Sequence, residues 1–259
     1  MAIWSDTPEG PPVPGEITLL PTHVEGLDRA LGGGIPTGST VLVAGPPGTL
    51  KTSLVLWMMH ANAGDGTKGL YVTLEQTAES LLTQAARLGL PPIPESQLYV
   101  VDLPTLRRGR PETEREKDWI SIVKLLVEEG VRGSGYGTVA IDSLQALYAL
   151  APMESPRREM FHLVAALKEL GVTLFLIGET PFGARTLAHW GEDFLADGIL
   201  YLHPAEVGDA DIQLRLRCVK MRWMNHARET FALNFDGGRF FLSKVLAKRK
   251  EASPWPAVR

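Results

Sequence analysis

Thr40-Val-Leu-Val-Ala-Gly45-Pro-Pro-Gly48-Thr-Leu50-Lys51-Thr52-Ser53 is the stretch that decides how the chain folds. Residues 40–44 form a short uncharged run rich in β-branched residues, the pattern of a strand buried on both faces. The loop that follows fits G-x-x-x-x-G-K-[ST] at Gly45, Pro46, Pro47, Gly48, Thr49, Lys51 and Thr52. Backbone N–H groups of such a loop point at phosphate oxygens, and the next helix adds the partial positive charge of its N-terminus. Lys51 is expected to meet the β- and γ-phosphates, and the Thr52 hydroxyl to hold Mg²⁺. Leu50 stands where the template has glycine, a position expected to leave little room for a side chain. A glycine-rich strand-to-helix turn that binds nothing shares the local pattern, so the surrounding residues have to decide.

On the N-terminal side, residues 24–39 read as a short helix stopped by Gly32-Gly33-Gly34 and a tight turn into the strand. On the other side a helix is predicted over 51–63, a strand over 69–74 and an amphipathic helix over 77–88 ended by Gly89. Strands follow at 98–101, 138–141 and 172–177. The mixed-charge run 104–118 reads as a solvated loop leading into a helix through Glu129, and another helix spans about 157–170. Alternating strands and helices predict an α/β fold with a mostly parallel sheet covered on both faces. The rhythm then changes. Strands at 199–202, 212–221 and 229–235 come without helices between them, and Asp236-Gly237-Gly238-Arg239 is a hairpin turn before 240–242. These antiparallel strands are expected to extend one edge of the sheet. Within 212–223 the apolar parity slips, predicting a bulge near Cys218 that leaves Lys220 and Arg222 on one face.

With 259 residues, 44% apolar and 22% charged, the chain has ample core for one α/β domain. Its net charge of −4 gives no global basic field for nucleic acid. One cysteine, Cys218, cannot pair internally, which favours a reducing compartment, and no apolar run is long enough for a bilayer. A cytoplasmic, membrane-free protein is expected. Residues 1–16, with four prolines after position 7, read as a lead-in and 244–259 as a basic tail around a domain at 17–243.

Further carboxylates and cations surround the loop in sequence logic. Asp142 ends an apolar strand, which places a carboxylate beside the strand carrying the loop to fix Mg²⁺ and its waters. Glu75 also ends a strand, where open α/β sheets bind ligands, and could activate the attacking water. It could equally be a carboxylate at the start of the next helix, with Thr77 as the cap. Glu179-Thr180 could sense the γ-phosphate. Lys220 and Arg222, taken alone, are ordinary edge-strand cations that discourage aggregation.

Together these residues resemble the KaiC-like branch of the RecA/RadA ATPase superfamily. The carriers are 26–36, the phosphate loop, Tyr71-Val-Thr-Leu-Glu75, Ala140-Ile-Asp-Ser143, residues 190–198, and Lys220-Met-Arg222-Trp-Met-Asn-His226. The resemblance implies a RecA-like core and a homohexameric ring with ATP between neighbouring subunits. It places Asp142 on the metal, Glu75 near the water, and Lys220, Arg222 and His226 at the γ-phosphate of the next subunit. The chain departs from the family pattern at Leu50, at Gln76 in place of a second glutamate, and at Trp223-Met224. The function expected is a Mg²⁺-ATP-dependent, slowly hydrolysing switch or motor for an unnamed protein partner. The alternatives are a nucleotide-responsive binding module and, less favoured, a single-stranded DNA-binding ATPase using Arg157, Arg158, Arg185 and the tail.

Overall fold

A computed structural model describes residues 17–108, 119–151, 153–183, 186–208 and 211–245. The lead-in at 1–16, nearly all of the tail, Arg185 and most of the mixed-charge run lie outside the described residues. At the centre is β3 (Thr40–Gly45), every residue of which is buried. It lies between parallel neighbours β7 (Thr173–Glu179) and β8 (Gly198–Val207). Beyond β7 come β6 (Thr138–Asp142), β4 (Gly69–Thr73) and β5 (Leu98–Asp102), all parallel. On the other side β8 pairs antiparallel with β9 (Asp211–Met221), and β10 (Thr230–Asp236) and β11 (Arg239–Lys244) complete a nine-stranded sheet. The mostly parallel α/β sheet with antiparallel strands toward the C-terminus is thus as the sequence predicts. A separate two-stranded pairing of β1 (Leu19–Leu20) with β2 (Ile35–Pro36) was not foreseen.

Successive strand residues alternate faces, and each face carries its own core. Val41 and Val43 join one cluster, against α2 (Lys51–Gly64) with its Leu54, Val55, Met58 and Met59. Leu42 and Ala44 join the other, against Val123 and Val127 of α5 (Trp119–Ser134) and Leu163 and Leu167 of α7 (Pro156–Lys168). Because α2 is held against the sheet along its length, its N-terminus stays at the carboxyl end of β3.

Several elements differ from expectation. The loop at 104–118 begins as a helix, α4 (Leu103–Arg108), and α5 runs past Glu129 to Ser134. Gly130 does not stop α5; a Cβ there would meet Tyr136 at 3.1 Å, so the glycine permits close packing, and the left-handed Gly135 at φ 73° follows the helix end. A short α6 (Leu144–Leu150) follows β6 directly, capped by Ser143, whose hydroxyl accepts from the Ala146 N–H. Asp142 is not beside the loop strand: β7 intervenes between β6 and β3. The predicted bulge is present, with Ile199 opposite Lys220 and Leu200 opposite Cys218, leaving Val219 as the extra residue. Of the shifted apolar set Val219, Met221 and Trp223, Met221 is buried, whereas Val219 and Trp223 are exposed. The β10–β11 turn has φ of 58° and 72° at Gly237 and Gly238, the two left-handed positions that a tight hairpin needs.

Candidate nucleotide site

The loop turns sharply off β3 because Gly45 has no side chain: a Cβ there would lie 2.3 Å from the Leu202 carbonyl oxygen. Thr49 Oγ1 and Lys51 Nζ both donate to the Pro46 carbonyl, at 2.7 and 2.9 Å. Lys51 is buried, which lowers its pKa, while Glu179, Asp142 and Glu75 act the other way; Glu179 Oε1 lies 3.8 Å from its Nζ. Leu50 adopts φ 61° and ψ 23°, and its side chain is 39% exposed. Its side chain lines the loop cavity. Glycine also suits this position conformationally, since a left-handed residue with a Cβ costs roughly 1–2 kcal/mol. Ser53 is buried and its Oγ accepts from Gln84 Nε2 at 2.8 Å.

Asp142 reaches this loop although β7 stands between. The alternation of β6 puts Asp142 on the same face as Ala140, the face that α2 covers. The Thr52 hydroxyl at the start of α2 donates to Asp142 Oδ2 at 2.8 Å. The Tyr71 hydroxyl donates to that same oxygen at 2.7 Å. Burial raises the pKa of Asp142, opposed by these two donors; burial, then the neighbouring Asp142 charge, pushes the Tyr71 phenol well above its usual value.

Glu75 lies two residues beyond the end of β4 rather than at it, in a turn where Thr73 Oγ1 donates to the Gln76 carbonyl at 2.9 Å. Thr77 caps α3 (Ala78–Arg87), accepting from the Ser80 N–H at 3.2 Å, so Glu75 is outside that helix's first turn. Glu75 Oε1 instead accepts from the Ser143 hydroxyl. Gln145 clamps the backbone of Glu179, accepting from its N–H at 2.7 Å and donating to its carbonyl at 3.0 Å.

These groups converge on a cavity of about 250 Å³ lined by Gly48, Lys51, Thr52, Glu75, Asp142 and Glu179 among others. A larger apolar cavity, about 400 Å³ between α2, α3 and β5, contains none of the loop residues. Among the described residues no three His, Cys, Asp or Glu gather as a metal cage. The Thr52 hydroxyl and Asp142 carboxylate nonetheless fit Mg²⁺, which takes oxygen ligands, keeps several waters and uses one or two protein groups with substrate phosphates.

Lys220, Arg222 and His226 do not line this cavity. Lys220 Nζ donates to the carbonyls of Asp193 and Ala196, at 3.1 and 2.6 Å, and Arg222 Nη1 to Asp197 Oδ1 at 2.8 Å. His226 Nδ1 lies 2.9 Å from the Ala227 carbonyl. Asp197 also accepts from the Thr40 N–H, so Arg222 is tied to the start of β3, whereas the loop leaves its end. Six strand residues separate the two by roughly 15–18 Å.

Sequence patterns do not single out Tyr71, Gln84, Ser143 and Gln145, which contact Asp142, Ser53, Glu75 and Glu179 in turn. Ser143 and Tyr71 lie within the family-like motifs, and those motifs assign them no role. The face shared by Tyr71 and Asp142 becomes legible only once β4 and β6 are known to be neighbours.

The family model described as "ATPase: KaiC" matches residues 20–237. The chain belongs to the KaiC family of ATPases. Among its curated relatives is the circadian clock oscillator protein KaiC of Picosynechococcus, 30% identical over 235 residues, which are 87% of this chain and 45% of that protein. The KaiC of Parasynechococcus marenigrum is 28% identical, over 85% of this chain and 44% of its own length. This KaiC-family chain thus spans less than half the length of those relatives. A crystal structure of a KaiC-like protein from the archaeon Pyrococcus horikoshii superposes with a TM-score of 0.74 at 23% identity, covering 88% of this chain and 100% of that one. That likeness establishes the RecA-like fold.

Proposed function

We infer that this KaiC-family chain binds Mg²⁺-ATP in the loop cavity and hydrolyses it slowly at an interface between copies of itself, a homohexamer by analogy, to switch or drive a protein partner. One observation carries the reading: the Thr52 hydroxyl is bonded to Asp142, and the next residue, Ser143, is bonded to Glu75, directly over the phosphate loop. Gly45 to Ser53 would wrap the phosphates, with Lys51 released from the Pro46 carbonyl to the γ-phosphate. Thr52 and Asp142 would hold Mg²⁺, which supplies charge neutralisation at the phosphate oxygens. Glu75, held by Ser143, would orient water and take its proton. Lys220 and Arg222, with His226, would stabilise charge on a neighbour's nucleotide, as an arginine finger does. Their place at the opposite end of β3 favours action on another copy over action on their own loop. The single cysteine, buried with its thiol pushed up to about 12, suits a reducing cytoplasm.

Alanine at Lys51 or at Glu75 is expected to abolish phosphate release from purified protein in Mg²⁺-ATP. Unchanged turnover in both variants would overturn the reading. A second reading, a nucleotide-responsive module with little hydrolysis, is favoured by Gln76 in place of a second glutamate and by Arg222 engaged with its own Asp197. Tight ATP binding without phosphate release above the protein-free control would select it.

A further inference from the structure

We propose that Tyr71 is a positioning residue for the metal site, acting through Asp142. The inference rests on the nucleotide-site reading above and adds to it a residue that the loop motif does not contain. Tyr71 is fully buried in the middle of β4, between Leu70 and Val72, which face the other core. In the parallel register Tyr71 sits opposite Ala140 and Thr73 opposite Asp142, so Tyr71 and Asp142 are diagonal neighbours on the face that α2 covers. Phenylalanine would fill that space as well. What tyrosine adds is a hydroxyl whose partner is Asp142 Oδ2 at 2.7 Å.

The consequence is geometric. Oδ2 takes both hydroxyls, Tyr71 from the sheet and Thr52 from the helix, and among the described residues no donor is bonded to Oδ1. The carboxylate is thereby held in one rotamer, with one oxygen committed to protein and the other left for metal or metal-bound water. Thr52 donates its hydrogen to Asp142, which leaves the lone pairs of its oxygen for a cation. A carboxylate fixed by two donors does not have to be ordered when the metal arrives. Partners behind a metal ligand typically contribute about 10–100-fold in metal affinity.

The test is Tyr71→Phe in the full chain, with Mg²⁺ titrated against the fluorescence of bound N-methylanthraniloyl-ADP and Mn²⁺ binding followed by electron paramagnetic resonance. The Mg²⁺ half-saturation and the Mn²⁺ dissociation constant are expected to rise about tenfold. Nucleotide affinity in EDTA should stay unchanged. Tyr71→Met, a second variant of apolar bulk without the hydroxyl, should show the same loss if Tyr71→Phe proves hard to fold. Metal affinities within twofold of the parent, with or without a lower melting temperature, would overturn the proposal and leave the nucleotide site standing. Parent protein whose nucleotide binding ignores Mg²⁺ would overturn the metal-site reading itself, and the proposal with it.

Discussion

Leucine at position 50 holds a backbone conformation that glycine adopts without strain, at φ 61°, and it does so next to the lysine on which the loop depends. Its partly exposed side chain lines the cavity, and the backbone carries a conformational cost of its own. Replacing it with glycine removes roughly 1–2 kcal/mol of left-handed strain and adds about 0.5–1 kcal/mol of unfolded-chain entropy. Leu50→Gly is therefore expected to stabilise the protein by about 0.5–1 kcal/mol in urea melts. Leu50→Ala, which keeps the Cβ, should leave stability nearly unchanged. Equal effects of the two would show that the side chain, not the backbone, sets the balance. If backbone N–H groups and Lys51 hold the phosphates, as proposed, ATP affinity should survive both changes.

The segment joining the short α8 (Glu192–Leu195) to β8 and the end of β9 is fastened by one buried carboxylate. Asp197 accepts from Lys168 at 2.9 Å, from the Thr40 N–H at 3.0 Å and from Arg222 at 2.8 Å. Burial alone would push its pKa up; the bonds from Lys168, Thr40 and Arg222 outweigh that and hold it below the usual carboxylate value. A depressed folded pKa gives stability that is present above the unfolded value, about 3.9, and lost as pH falls through the folded one. Asp197→Asn is accordingly expected to cost about 2 kcal/mol at pH 7. The gap between variant and parent should narrow in melts below pH 4 or so. A constant gap across that window would mean that Asp197 works by shape alone. The same substitution loosens Arg222.

Across the molecule, the loop leaves one end of β3, whereas Arg222 is tied through Asp197 to the other. Arg222→Ala should leave ATP binding intact and lower phosphate release by about a thousandfold or more if Arg222 serves as an arginine finger. Mixing Arg222→Ala with Lys51→Ala protein should then recover part of the turnover, since a mixed interface joins an intact loop to an intact cation. No recovery on mixing, in assemblies shown by light scattering to exchange subunits, would place Arg222 outside the reaction. Among the described residues no helix is long and apolar enough to cross a membrane, and Trp223 and Phe194 stand exposed beside the cations.

Periodicity was enough for most of the fold, because a strand buried on both faces can hardly be written other than as 40–45 or 138–142 are written. The phosphate loop was legible for a related reason: backbone contact with phosphate constrains residue type at each position. The short α4 and α6 escaped notice because helices of one or two turns carry too few residues for a 3.6-residue period to stand out. Contacts across the sheet were hidden for a different reason. Strand order is not a property of local sequence, so nothing in residues 71 or 142 alone says that β4 and β6 are neighbours or that β7 separates Asp142 from the loop strand. Sequence by itself determined the longer elements, the loop and the carboxylates at hand. Tertiary structure decided that Tyr71 and Thr52 share one oxygen of Asp142, that Leu50 takes a left-handed backbone, and that Lys220 and Arg222 are bonded to residues 193–197 and do not line the loop cavity. Those outcomes depend on which strands pair and where a helix is laid across them, and burial of the two cores fixes both.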